Sequence, residues 1–373
     1  MGFEDASGVD RGQGPGDPGR FGLAVALSGK FQPVGEAVMR AAMLATGTPA
    51  AGAAGGVQLF VRDAGGDADR SAKGTAELAR DESVIGIVAA GDPGGVDAML
   101  GAVAETAVPT LLLEDGNVAG GVLAFLLVHS SAARAKALAG AALRLGAREF
   151  AMVGPDSAAG TALRRVFRQA VTAGGGRITA DVTYVPGATS FTATVAAVKK
   201  APPQVVFVAD NADRLELIAP ALAAADLWAA PWGAPRPANV PGKPRPRNVL
   251  LLSTAADLSP RLLQNSGRYV QGALLAPGFY ADPTDDRTHA FVDAYRAAYG
   301  QDPHATEAYA FDGVNVLRTA IAGGARTRAD LLKALSDGTF AGLTGAIRFA
   351  GEHARVDPPR IYAVDGDEIR AVR

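Results

Sequence analysis

At 373 residues, 48% of them apolar and none a cysteine, the chain exceeds what one hydrophobic core usually organises, and disulfides, thiolate metal sites and a cysteine nucleophile are excluded. A net charge of −2 with both signs well mixed leaves no basic block as a footprint for nucleic acid or anionic lipid. The four histidines, at 129, 289, 304 and 353, form no i, i+4 pair, so neither a metal nor a cofactor is predicted, and no run approaches the ~20 apolar residues that span a bilayer.

Residues 1–19 are polar and rich in Gly, Asp and Pro, and read as a disordered leader without the apolar stretch of a signal peptide. The protein is then either cytoplasmic, or extracytoplasmic with a signal sequence absent from this chain. The organising stretch follows at 21–44, FGLAVALSGKFQPVGEAVMRAAML. Its uninterrupted apolar run at 21–27 is what a strand buried on both faces looks like, and a helix opens near Gly35. The loop between them carries Ser28, Lys30 and Phe31 and would sit at the carboxyl end of the first strand, where open parallel sheets place their ligands.

Later segments repeat that plan. A second strand is predicted at 57–61, then the turn RDAGGDAD and a helix over 71–80. The spacing of Asp67, Asp69 and Ser71 imitates a calcium loop, but its glycine and closing glutamate are misplaced, and helix-capping carboxylates explain it. A third strand at 84–89 ends in GDPGG, which holds Asp92, Gly94 and Gly95; a fourth at 108–113 ends in Glu114 and Asp115. These two should be neighbours in the sheet, with their tips on one edge.

An apolar run at 121–128 precedes a helix capped by Ser130 or Ser131. A second series begins with a strand at 150–153, with Asp156 and Ser157 at its end and a helix to 172. A strand at 178–184 leads through PGATS to a helix capped by Thr189 or Ser190. The strand at 205–209 ends in DNADR, where Asp210, Asn211 and Arg214 are candidate site residues and Asp213 is the expected cap. Residues 228–247 hold six of the 23 prolines and are expected to form an irregular surface loop. Strands at 249–253, ending in Ser253, and at 269–277, just before Tyr280, lead to helices over 287–299 and 304–321. A shorter helix opens on the capping pattern TRAD at 327–330, and strands are expected at 345–349 and 361–364.

No phosphate loop, dinucleotide fingerprint, HExxH pair or GxSxG elbow occurs, and the adjacent acids Glu114 with Asp115 and Asp285 with Asp286 need not converge on one substrate. The absence of a catalytic constellation favours binding over turnover.

In their order, the strings ALSGKFQPVG, LFVRDAGGDADRSAKGTAEL, VGPDSAAGTAL, FVDAYRAAYGQDPHATEAYAFDGVNVLRTAI and FAGLTGAIRFAGEHA resemble type 1 periplasmic binding proteins of the Leu/Ile/Val-binding branch, over about 21–372. The resemblance implies an α/β protein of two doubly wound parallel-sheet lobes joined by three crossovers. Lobe one would be 20–127 plus 279–342, and lobe two 128–278 plus 343–373. It further implies a non-enzymatic, periplasmic or otherwise extracytoplasmic protein that captures a small-molecule ligand between its lobes for an ABC permease. Amino-acid binders of the family hold the ligand carboxylate with hydroxyls and amides after the third strand and a Ser/Thr after the fourth. Here those positions are 92–95 and 114–116, which carry no hydroxyl and add negative charge, and the aromatic common before the glycine of DSAAG is Ala159. A neutral or cationic polar ligand, or none at all, is therefore expected. FGLAVALSGKF, VRDAGGD and VADNADRLELIAPAL are also similar to penicillin-binding-protein activator lipoproteins, which implies the alternative of a regulator that contacts a cell-wall synthase.

Overall fold

The computed structural model describes residues 20–47, 57–92, 94–104, 106–115, 123–236, 238, 245–256, 258–350 and 354–372. The leader at 1–19, Pro93, Gly116 and most of the proline-rich stretch beyond 238 lie outside the described residues. The chain forms two compact units. One holds the described residues up to Val128 together with Ala290–Asp357, and the other holds His129–His289 and the chain from Pro358 onward.

The first unit begins with β1 (Arg20–Val25), α1 (Gln32–Ala45), β2 (Gln58–Asp63), α2 (Ala68–Arg80), β3 (Gly86–Ala90), α3 (Val96–Ala104), β4 (Thr110–Leu112) and β5 (Ala124–Leu126). The second contains α4 (Ser131–Arg144), β6 (Glu149–Pro155), α5 (Ala158–Ala173), β7 (Arg177–Tyr184), α6 (Thr192–Lys199), β8 (Val205–Val208), α7 (Ala212–Ala224), β9 (Leu227–Ala229), β10 (Arg247–Ser253), α8 (Arg261–Ser266) and β11 (Leu274–Leu275). After α9 (Asp286–Tyr299), the first unit is completed by α10 (Ala305–Ala322), α11 (Arg328–Asp337), β12 (Phe340–Gly342), β13 (Gly345–Ile347), β14 (Phe349–Ala350) and β15 (Ala354–Arg355); β16 (Tyr362–Asp365) and β17 (Glu368–Ala371) finish the second.

The first unit's main sheet has the order β14-β15-β5-β4-β3-β1-β2, and the second unit's β17-β16-β11-β10-β8-β6-β7 with β9 beside β10. From β1 to β5, and from β6 to β11, every pairing is parallel. The chain order doubles back in each sheet, which is the doubly wound α/β arrangement. The predicted neighbours 84–89 and 108–113 pair as β3 and β4, Val88 facing Leu111. The apolar runs are explained by two-sided burial. In the second unit Val206, Val208 and Leu251 enter one core, while Val205, Phe207, Leu250 and Leu252 enter the other, where Phe207 stacks on Phe167 with ring centroids 4.0 Å apart.

Helices start where side chains satisfy their first N–H groups. Asp67 accepts from Arg70 N at 2.8 Å, Ser130 from Ala133 N at 3.0 Å and Ser157 from Gly160 N at 3.1 Å. The TRAD pattern is reciprocal: Asp330 N donates to Thr327 Oγ1 at 3.1 Å and Thr327 N to Asp330 Oδ2 at 3.0 Å. Gly35 lets α1 lie on the end of β1, because a Cβ there would stand 1.8 Å from Ala26 O. In α7, Pro220 lacks the N–H that would reach Glu216 O, and Ser266 Oγ donates to that carbonyl instead at 2.9 Å. Ser266→Ala is expected to cost about 1 kcal/mol in urea unfolding, and adding Pro220→Ala, which restores the N–H, should recover much of it.

Several expectations are corrected. Residues 228–247 are not wholly irregular: β9 pairs with β10, Trp228 facing Asn248, because its peptide groups find an open neighbour there. The strand expected at 269–277 shrinks to β11, since Gly267–Tyr269 winds as a single 3-10 turn. Neither Thr189 nor Ser190 caps α6, whose N-cap is Phe191 without a side-chain bond, and α7 is capped by Asn211, which leaves Asp213 exposed in its first turn. The second and third passages between the units fall after His289 and Asp357, later than the expected 278 and 342. Tyr280 packs on Tyr362 and Asp285 pairs with Arg360, keeping that stretch in the second unit. In the first, Asp312 holds Leu343 and Thr344, and β15 joins the sheet beside β5.

Candidate ligand-binding site

In the first unit the carboxyl ends of β4, β3, β1 and β2 stand side by side, and their loops bond to one another. Ser28 Oγ donates to Gly65 O at 3.1 Å and accepts from Arg70 Nη1 at 2.7 Å. Gly66 N donates to Asp92 Oδ2 at 3.0 Å, which ties the β2 loop to the β3 loop. Asp63 anchors this edge, accepting from Leu27 N at 2.9 Å and Gly65 N at 3.0 Å. Burial raises the Asp63 pKa, but hydrogen bonding from Ser28, Gly65 and Leu27 and the Arg70 charge outweigh it, so the carboxyl sits below its usual range.

Glu114 follows β4, half-buried, with its pKa pushed up to about 7 by burial and then by the negative charges of Asp115 and Asp92. Asp92 Oδ1 is buried without a hydrogen-bond partner among the described residues. Ser28, Asp92, Glu114 and Asp115 thus belong to one polar edge. Gly94 is exposed, whereas Gly95 is a packing residue: a Cβ there would lie 2.3 Å from Ser71 Oγ. Lys30 is exposed, its ammonium 5.5 Å from the centroid of the Phe31 ring.

In the second unit the ends of β7, β6, β8 and β10 form the corresponding edge. Asp156 is exposed and its N–H donates to Tyr184 O at 2.7 Å, while Ser157 is spent on its cap. Tyr184 Oη donates to Asp210 Oδ2 at 2.5 Å, and Asn211 N donates to Asp210 Oδ1 at 2.8 Å. Burial, and then the bond to Asp210, push the Tyr184 phenol well above its ordinary range, so it remains a donor. Asn211 Oδ1 accepts from Arg214 N at 3.0 Å as the α7 cap, and Arg214 Nη1 donates to Ala188 O at 2.9 Å. Asp156, Asp210, Asn211 and Arg214 therefore gather around Tyr184 and its loop.

Ser253 and Tyr280 are buried behind that edge, Ser253 Oγ reaching Asp210 O at 3.3 Å. Ser253 is fully buried, its hydroxyl accepting from Ala255 N at 3.0 Å and lying 3.1 Å from Val208 O, so it holds strand ends together. Tyr280 is 6% exposed, edge-on to Tyr362 with centroids 5.2 Å apart, and burial first, then Asp282, pushes its pKa up to about 12. Both lie at strand ends in the sequence, but side-chain direction takes them into the core. Asp63, Arg70 and Tyr184 escaped the sequence reading. Each stands next to a singled-out loop, and only pairing in space shows that they contact it. Among the described residues, no group of three or more His, Asp or Glu is arranged to hold a metal ion, and no helix is long and apolar enough to cross a membrane.

Two doubly wound units, each with polar residues at the carboxyl ends of its strands, define a binding-protein architecture. The periplasmic binding protein family model matches residues 18–232 and 243–368, and the chain belongs to that family. No curated protein gives a significant match. Among solved structures, a putative branched-chain amino acid ABC transporter protein from Rhodospirillum rubrum is 21% identical, with a TM-score of 0.77 over 95% of this chain and 100% of its own. The substrate-binding protein LivJ from Streptococcus pneumoniae, in complex with isoleucine, is 20% identical with a TM-score of 0.62, covering 95% and 99%. A solute-binding protein from R. palustris, in complex with benzoate, is 19% identical with a TM-score of 0.60, covering 95% of each. At these identities the likeness establishes the fold, that of the type 1 periplasmic binding proteins.

Proposed function

We propose that this protein is a non-enzymatic, extracytoplasmic solute-binding protein that captures a small polar ligand, neutral or cationic, for an ABC permease. The observation that carries the ligand class is the first unit's edge, where the negative charges of Asp92 and Asp115 act on Glu114 and the segments 92–95 and 114–116 contain no hydroxyl residue. A ligand carboxylate there meets like charge, whereas an ammonium or a hydrogen-bond donor is stabilised. Tyr184, Asp210 and Arg214 supply a mixed set of acceptors and donors on the second unit. LivJ and the R. palustris protein named above are substrate- and solute-binding proteins, which favours solute capture over the cell-wall-synthase regulator.

A thermal-shift screen against amino acids, polyamines, sugars, nucleosides and muropeptides tests this reading, because a ligand specific to the folded state raises stability by mass action. A shift of several degrees is expected from a polyamine or an uncharged polar class and none from leucine or valine. Micromolar leucine binding by calorimetry would overturn the assignment of ligand class. A muropeptide shift together with capture of a cell-wall synthase would revive the regulator.

A further inference from the structure

The second unit's sheet carries a different cavity at its opposite edge. Around the amino-terminal ends of β8 and β10, and the loop after β9, lies a space of about 440 Å³ walled by Pro203, Pro231, Trp232, Arg236 and Arg247. Ligand pockets commonly enclose about 300–1,000 Å³. None of these residues belongs to the polar edges described above.

The cavity is held in shape by the backbone. Ala230 N donates to Val249 O at 3.1 Å, extending the β9–β10 pairing. Asn248 Nδ2 donates to Ala234 O at 3.2 Å and Pro235 O at 2.9 Å, which fixes the segment that carries Trp232 and Arg236. Gly272 abuts Pro231 so closely that a Cβ on it would lie 2.1 Å from Pro231 N. Trp232 itself is partly buried against the core that contains Phe150 and Phe207, with its remaining surface on the cavity.

Charge sets what the cavity takes. The one carboxylate in its wall, Glu149, is engaged by Arg177 at 2.5 Å, and the nearby Asp226 by Lys199 at 2.7 Å. Arg236 and Arg247 are exposed and have no carboxylate partner among the described residues. Two uncompensated guanidinium groups thus border a tryptophan and a proline wall. Guanidinium groups bind carboxylates through paired N–H donors, and an indole face favours a flat apolar body.

We propose that this cavity is a second ligand site, for a small organic carboxylate with a flat apolar body, which packs on Trp232 and places its carboxylate against Arg236 and Arg247. The charge preference is opposite to that of the acidic strand ends in the first unit, so the two sites separate by probe. A ligand screen that finds nothing at the strand ends leaves this site standing, and the reverse holds.

The test is a tryptophan-fluorescence titration of the full chain with phenylacetate, repeated with acetate, phenethyl alcohol and phenethylamine. Phenylacetate is expected to give a saturable change, and each of the other three a weaker one. Arg236→Gln with Arg247→Gln should weaken phenylacetate about tenfold or more, the loss of about one charge-assisted contact, without altering the unfolding midpoint, since both side chains are exposed. Trp232→Leu should abolish the signal, and calorimetry on that variant should show weakened binding. A titration with no saturation, an equal response to phenethyl alcohol, or undiminished affinity in the double arginine variant overturns the proposal.

Discussion

Asp312→Ala is expected to cost about 3–5 kcal/mol of stability, the scale of breaking a fully buried, charge-assisted network by removing one partner. Asp312 on α10 is 2% exposed; its Oδ1 accepts from Leu343 N at 2.7 Å, and its Oδ2 accepts from Thr344 N at 2.9 Å and Thr344 Oγ1 at 2.7 Å. Thr344 Oγ1 in turn accepts from Arg355 Nη1 at 2.8 Å, and Arg355 reaches Leu127 O at 3.1 Å and pairs with Asp357 at 2.9 Å. The carboxylate therefore anchors the turn between β12 and β13 and, through Arg355, the ends of the first and third passages between the units. Alanine strands two buried N–H donors that water does not reach. A lower urea midpoint at an unchanged slope is the expected reading, and an unchanged midpoint would show that the network contributes nothing.

Asp312→Asn should be milder, since one acceptor oxygen remains. Burial raises the Asp312 pKa even though Thr344, Leu343 and Arg355 oppose it. A carboxyl raised above its unfolded value favours the fold fully below that unfolded pKa, and the benefit is lost as pH rises through the folded pKa. The deficit of the Asn variant relative to the parent should narrow as pH increases.

Glu114→Gln is expected to flatten the pH dependence of folding. With the folded pKa raised from 4.5 to about 7, the unfolded chain releases this proton well before the folded one does. Stability contributed by the protonated carboxyl is complete below the unfolded value and declines across that window, by up to about 3 kcal/mol, less whatever the half-exposed position returns through solvent screening. The Gln variant should lose that decline and be the more stable protein above neutrality. Denaturant titrations at several pH values check this, and parallel profiles for parent and variant would sink it. Under the proposed function the same group senses the ligand: a cation beside Glu114 favours its ionised form, so binding should tighten with pH up to neutrality and release protons.

The repeated strand-loop-helix units were legible because two-sided burial writes itself as runs such as VVFV at Val205–Val208, and because caps such as Ser130 and Thr327 act within three residues. Caps failed where alternatives stood within a few residues, as with Asn211 and Asp213. Strands failed at β9 and β17, which are short and owe their existence to neighbours rather than to their own pattern. Of the candidate site, the loops were legible but the orientation of each side chain was not. Ser253 and Asp210 close neighbouring strands, yet one is fully buried and the other sits at the polar edge with Tyr184.

Composition, apolar periodicity and local capping determine which segments become strands and helices, because those energies act between residues close in the chain. They suffice for the two-series α/β plan and for the acidic character at the ends of β3 and β4. The tertiary structure alone decided where the second and third passages fall, that Asp63 and Arg70 brace Ser28, and that Trp232 and Arg247 line one cavity. Those outcomes depend on which distant groups must share a desolvated space, and a buried donor such as Thr344 N finds its acceptor only once α10 is packed against it.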